Sequence, residues 1–155
     1  MTRFLRLALA LLLLDELVVG AWNLFSPATF YRYFPTVDLT PPFSEHYARD
    51  FGGATLGIAL LLGIALVRPR AHFTIPAALA FSVFAVPHVA FHVGHLHGAT
   101  PAEAIALTAA NVTVALLGPA IVVVTILRDR REAVRPTGDP APPRASAPPA
   151  TAPSP

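Results

Sequence analysis

Residues 51–86 read FGGATLGIALLLGIALVRPRAHFTIPAALAFSVFAV, two long apolar runs joined by the short basic turn Arg68-Pro69-Arg70. Extended to its limits, each run holds about 20 residues, which at about 1.5 Å per residue spans a hydrocarbon core of about 30 Å. The runs show no apolar–polar alternation, and in lipid only a helix or a closed barrel satisfies its own backbone. This stretch therefore predicts a pair of antiparallel transmembrane helices.

The same pattern recurs on both sides of this pair. Apolar residues make up 54% of the 155-residue chain and charged residues 13%, against about 45–50% and about 25% in soluble domains. We predict an all-α, four-helix transmembrane bundle over residues 1–132, with the lipid bilayer as its surroundings. Residues 133–155 form a Pro/Ala-rich tail with nothing to bury, which we expect to be disordered. The predicted helices span Phe4–Phe25, Tyr47–Val67, Phe73–Leu96 and Ala102–Leu127.

The arginines orient the bundle. Apart from Arg144 in the tail, eight of them precede the first segment, lie between the second and third, or follow the fourth, whereas the other two connections hold only Arg32 and Arg49. The positive-inside rule then places both termini in the cytoplasm of a multi-pass protein. The arginine-rich, lysine-free composition favours a bacterial inner membrane. Because the basic residues flank apolar runs, the basic pI does not indicate nucleic-acid binding.

A cleaved signal peptide is the competing interpretation of the first segment. The segment has a basic start, an apolar stretch and the small residues Gly20 and Ala21, which are typical of such peptides. Asp15 and Glu16 interrupt the run just before that point, so we favour an uncleaved helix.

The connection from Ser26 to His46 is the longest between helices. Its prolines forbid a continuous helix, and its aromatic residues are too many for a solvated linker. We expect an ordered cap in the outer membrane interface, where aromatic rings concentrate. An aromatic belt without a ligand is the simpler interpretation of this segment.

Polar residues inside the predicted spans are the candidates for function, because each central charge costs about 2.5–3.5 kcal/mol on insertion. Glu16 shares a helical stripe with Gly20 and Asn23, whereas Asp15 points away from it. Histidines on the third helix follow an i, i+4, i+7 spacing on one face. The expected polar cluster in the outer half comprises Glu16, Asn23, Asp50, His88, His92, His95 and Asn111.

Several chemistries fit this cluster. His88, His92 and His95 could bind zinc or non-haem iron, or two of the imidazoles could ligate haem; the absence of cysteine excludes thiolate ligands. Alternatively, Glu16 and His92 could act as an acid–base pair. The polar groups could also simply hydrogen-bond to one another and fix helix packing.

Small residues on the second helix favour close helix contact. Gly53 and Gly57 form a small-xxx-small pair, with Gly52 and Gly63 nearby. In lipid, such pairs let backbones approach. The contacting helix could belong to this chain, to a second copy or to a partner membrane protein.

The layout resembles the DoxX-like group of four-helix bacterial membrane proteins, including its branches of unknown function. The resemblance covers about residues 4–128 and rests on an early helix that carries an acid and ends in Trp22-Asn23-Leu24-Phe25, on the aromatic outer loop, and on Ala48-Arg49-Asp50-Phe51-Gly52-Gly53. It implies an accessory role beside quinone-linked redox complexes or in the maturation of partner enzymes, and it transfers no catalytic residue. A fainter similarity of composition is to EXPERA-type sterol isomerases.

The leading functional hypothesis is an accessory bundle whose outer polar cluster stabilises the protein or binds a small ligand or partner. The alternatives are a membrane enzyme or redox protein using Glu16 with the three histidines, and a proton-coupled carrier.

Overall fold

The computed structural model describes residues 3–39 and 42–134, and this part of the chain is all helical, with 88% of it in helices and no strand. Five α-helices and one 3-10 turn follow one another along the chain. Their bounds are α1 Arg3–Phe25, α2 Pro27–Tyr33, the 3-10 turn Val37–Leu39, α3 Glu45–Val67, α4 Ala71–Gly94 and α5 Pro101–Val134.

Three of the helices, α3, α4 and α5, are long and apolar enough to cross a membrane. They correspond to the second, third and fourth predicted segments, so the prediction of a membrane protein is supported at this level. The fourth long helix, α1, has 23 residues and carries Asp15 and Glu16 near its middle. The structure also contains the short helix α2, which lies inside the predicted loop and begins with Pro27 at its first turn, where a missing N–H is tolerated.

The four long helices form a ring. Helix α1 packs mainly on α3, and α4 mainly on α5, while α3 contacts α4 and α1 contacts α5. Successive helices run in opposite directions, so the bundle has two distinct ends. We call the end with the α3–α4 turn at residues 68–70 the closed half, and the end with α2 and the α4–α5 connection at residues 95–100 the cavity half.

The closed half holds most of the apolar core. Leu9 and Leu12 of α1 meet Leu62 of α3 and Ile121 of α5, and all four side chains are fully buried. Small alanines of α4 fill the remaining space beside them. Because lipid is as apolar as leucine, this half is held by close packing of side chains.

The α1–α3 contact depends on two glycines. A Cβ atom on Gly52 would lie 2.6 Å from the Leu24 nitrogen and 2.7 Å from the Gly20 oxygen, whereas one on Gly53 or Gly57 would meet nothing within 4 Å. Within this chain, close helix contact therefore occurs at Gly52, and contact of the Gly53–Gly57 pair with a second copy or a partner protein stays a prediction. The reason is the helical period, which turns Gly52 towards α1 and turns Gly53 and Gly57 towards the outside of the bundle.

Polar contacts fix the ends of the helices. Arg49 donates to the Leu24 carbonyl at 2.5 Å and so satisfies the end of α1, while Glu45 holds the guanidinium at 2.8 Å. At the start of α5, the Thr100 N–H donates to the Glu103 carboxylate at 2.8 Å, and the Glu103 N–H donates back to the Thr100 hydroxyl at 3.3 Å. This reciprocal pair is a capping box.

Candidate functional site: a cavity at one end of the bundle

A cavity of about 690 Å³ occupies the cavity half, between α1, α2, α3, α4 and α5. Phe81 separates it from the core of the closed half, because this fully buried ring belongs to both. Aromatic rings form a large part of the wall. The lining rings are Phe30, Tyr31, Phe34, Phe43, Tyr47, Phe51, Phe81, Phe84 and Phe91, together with His88 and His92.

Aromatic contacts hold the segment between α1 and α3 over one side of the cavity. Trp22 packs edge-on against Phe30 at 5.6 Å, and Phe30 stacks on Phe34 at 4.6 Å. The Trp22 indole N–H donates to the Thr29 hydroxyl at 2.7 Å, which ties α1 to α2. Tyr31 contacts Phe43 at 5.1 Å. The predicted aromatic cap therefore also forms part of the cavity wall.

Two adjacent acids of α1 line the cavity. Glu16 is only 2% exposed, and neither of its carboxylate oxygens has a hydrogen-bond partner among the described residues. Asp15 is half-buried and lines the same space. Buried polar groups are normally hydrogen-bonded, so an unpartnered carboxyl group beside an open volume is the exceptional feature of this site.

Two asparagines on facing helices also contribute to the polar lining. The Asn23 amide donates to the Val19 carbonyl at 2.9 Å, and the Asn111 amide donates to the Leu107 carbonyl at 3.0 Å. Both bonds stay within one helix, so neither asparagine ties α1 to α5. The stripe of Glu16, Gly20 and Asn23 predicted from the spacing is buried along its whole length.

The histidines of α4 divide into two groups. His88 and His92 are half-buried and line the cavity, with ring centroids 4.4 Å apart, and His88 also contacts Phe84 at 5.1 Å. His95 is exposed, stacks on Phe91 at 4.0 Å and has its Nδ1 2.8 Å from the Phe91 carbonyl oxygen. Because α4 ends at Gly94 rather than at Leu96, His95 does not continue the predicted stripe.

Asp50 is also placed differently from the prediction. It is exposed on α3 and lies 3.2 Å from the His46 imidazole, one turn earlier. The face of α3 that lines the cavity carries Tyr47, Ala48 and Phe51, and helical geometry turns Asp50 away from it. Neither Asp50 nor His95 therefore belongs to the cluster.

No group of three or more His, Asp or Glu side chains within residues 3–39 and 42–134 is arranged to hold a metal ion. His88, His92 and His95 are thus not assembled as a three-ligand set. A metal ion or haem in this bundle stays a prediction from the histidine spacing alone.

Two features of the site were not expected from the sequence. Asp15 was assigned to another face of α1, yet it lines the cavity beside Glu16. The loop rings Tyr31 and Phe43 form wall rather than an interfacial belt alone. The density of aromatic residues was a usable signal for the second feature. Helical spacing gave no signal that Asp15 lines the cavity, because a wide cavity can be lined by side chains from a broad arc of α1.

Comparisons with known proteins give no relative: no family model, curated protein or solved structure matches the chain. The site is therefore interpreted from its own residues.

Proposed function

We propose that the protein is a four-span, multi-pass membrane protein, with both termini cytoplasmic, that binds a small, largely apolar ligand in the cavity. The observation that carries the proposal is Glu16, a buried carboxyl group that has no partner among the described residues and lies at the side of an aromatic-walled space. Ligand sites are typically concave and mostly apolar, with a few polar groups that fix orientation.

The assignment of α1 as a fourth span is supported by its surface and its packing. Leu7, Leu11, Leu14 and Val18 are exposed along one stripe of α1, which suits contact with lipid. The opposite face contributes Leu5, Leu9 and Leu12 to the common core. The alternating arginines support the inward orientation of both ends.

Topology can be tested with single cysteines, since the chain has none of its own. We expect a membrane-impermeant maleimide to label His97→Cys in intact cells and to label Thr2→Cys and Ala133→Cys only after permeabilisation. Labelling of Thr2→Cys in intact cells would show that the first segment does not cross as proposed.

Ligand binding can be tested with the sole tryptophan of the chain. Trp22 contacts Phe30 and Phe34, which line the cavity, so a bound brominated phenylalkane should quench its fluorescence. We expect saturable quenching in the wild type and its loss in Ala48→Phe, which places a ring in the lining. The matched control is Gly53→Phe, where the added side chain points out of the chain. Linear quenching that is equal in all three proteins would contradict a binding cavity.

Acid–base chemistry is the second candidate function. One observation favours it: Glu16, His88 and His92 line the same cavity, as catalysis by the predicted pair Glu16 and His92 would require. The metal or haem protein and the proton-coupled carrier have no comparable support from the described geometry. An accessory role, as the DoxX-like resemblance implies, is compatible with ligand binding and stays part of the proposal.

A further inference from the structure

We propose that the ligand of the cavity is a lipophilic amine, with its ammonium group at Glu16 and Asp15 and its apolar body against the aromatic wall. This inference rests on the proposed binding function and adds the chemical class of the ligand. Three observations support it: the placement of the two acids, the aromatic composition of the wall, and the absence of arginine and lysine from the described lining residues.

The acids supply the first argument. Glu16 is 2% exposed, neither of its oxygens has a hydrogen-bond partner within the described part of the chain, and Asp15 lies next to it on the same lining. A buried carboxyl group is stable in its charged form only when it is paired. The structure offers Glu16 no cation of its own among the described residues, because no arginine lines the cavity and the chain has no lysine. An ammonium group of a ligand would be that missing partner.

The wall supplies the second argument. Phenylalanine and tyrosine rings face the space from α2, α3 and α4 and from the segment before α3, and the negative faces of such rings attract organic cations. The cavity volume of about 690 Å³ lies within the range of about 300–1,000 Å³ typical for small-molecule sites. An alkyl or aryl-alkyl body therefore finds both room and an apolar surface.

The histidines disfavour an anionic ligand. Among the described residues that line the cavity, the only basic groups are His88 and His92, whose rings are 4.4 Å apart. Two positive imidazoles at that separation repel each other, and two carboxyl groups already share the cavity. An anionic ligand would thus lie beside the two carboxyl groups without a fixed cationic partner.

The closed half shows that burial without a partner is not sufficient to indicate a ligand. The Thr74 and Thr125 hydroxyls are also fully buried and have no partner in residues 3–39 and 42–134, but neither residue lines the cavity. Glu16 differs because it combines a chargeable group with adjoining space. That combination points to a bound cation.

The experiment compares two compounds of nearly equal shape on the full chain in phosphatidylcholine nanodiscs, with empty nanodiscs as the partition control. One is N,N-dimethyl-phenylbutylamine, and the other is the hydrocarbon in which a CH group replaces its nitrogen. Since hydrogen bonds to charged groups are worth enough to change affinity by a factor of ten or more, we expect the wild type to bind the amine at least about tenfold more tightly, as measured by Trp22 fluorescence and calorimetry.

Glu16→Gln keeps the shape of the side chain and removes its charge. We expect the preference for the amine to fall to less than about threefold in this variant and to persist in Glu103→Gln, whose carboxylate lies outside the cavity in the α5 capping box. A preference that survives Glu16→Gln would overturn the proposal. Equal binding of both compounds to the wild type would also overturn it while leaving the binding cavity intact, and binding of neither would reject the cavity function itself. The two-compound comparison needs no variant, so it decides the question even if Glu16→Gln does not fold.

Discussion

The closed half and the cavity half of this bundle are built from the same four helices, yet they differ in what fills the space between them. In the closed half, Leu9, Leu12, Leu62 and Ile121 pack into a core with no exposed surface. In the cavity half, the same helices enclose about 690 Å³ lined by rings, acids and imidazoles. Phe81 lies at the boundary and belongs to both.

This difference shows how a small membrane protein can combine rigidity with a polar site. Packing in lipid comes from close contact of side chains and backbones, which the closed half and the Gly20–Gly52 contact supply. The cavity half is then free to carry groups that packing would not tolerate, above all the unpartnered Glu16.

The largest expected effect distinguishes the two halves directly. Leu62→Ala removes a fully buried side chain from the closed half and should lower the free energy of unfolding by about 2–4 kcal/mol, because a new void forms. Leu107→Ala, at a half-buried position in the cavity wall, should cost less than about 1 kcal/mol, since its side chain already borders open space. Unfolding by SDS in bicelles measures both, and equal losses would contradict the proposed division.

The second prediction concerns the contact that joins α1 to α3. Gly52→Ala should destabilise the fold by about 1–3 kcal/mol, because its Cβ would meet backbone atoms of α1 at 2.6 and 2.7 Å and the helices would have to separate. Gly53→Ala is the matched control and should not destabilise the fold, since its Cβ meets nothing within 4 Å and alanine is favoured over glycine inside a helix. The same unfolding assay applies, and a costly Gly53→Ala would instead place a partner on that face.

Much of the architecture could be predicted from the sequence because a helix that crosses lipid has to be long and apolar. Apolar length alone located α3, α4 and α5, and the helical period placed Glu16, Gly20 and Asn23 on one buried stripe. The end of α4 was missed, because the sequence up to Leu96 stays apolar enough to continue a helix that in fact ends at Gly94.

The candidate site was predictable only in part, since spacing gives a direction but not a depth or a void. Glu16, Asn23, His88, His92 and Asn111 do line one cavity. Asp50 does not, because a local partner, His46, lies on the same exposed face. The cavity itself has no signature in the sequence, since it arises from aromatic side chains contributed by elements far apart in the chain.

The third prediction tests whether Glu16, as part of the candidate site, lowers the free energy of unfolding. Glu16→Gln should raise the free energy of unfolding by roughly 1–2 kcal/mol, because a neutral amide is less costly to bury than a carboxylate without a partner. Unfolding of the wild type and the variant without added ligand would measure this gain. A loss of stability instead would indicate that Glu16 has a stabilising partner and would weaken the case for a ligand cation.

The smallest effect should come from the same substitution at an acid whose partners are present. Glu103 accepts hydrogen bonds from the Thr100 N–H and from the Thr100 hydroxyl, both at 2.8 Å, at the start of α5. A carboxylate also interacts favourably with the N-terminal end of a helix, so Glu103→Gln should slightly lower the midpoint of unfolding. If Glu16→Gln raises the stability and Glu103→Gln lowers it in the same assay, the two acids differ in their surroundings rather than in their chemistry. If both variants change the stability in the same direction, the loss of one negative charge, and not its position in the cavity, determines the change.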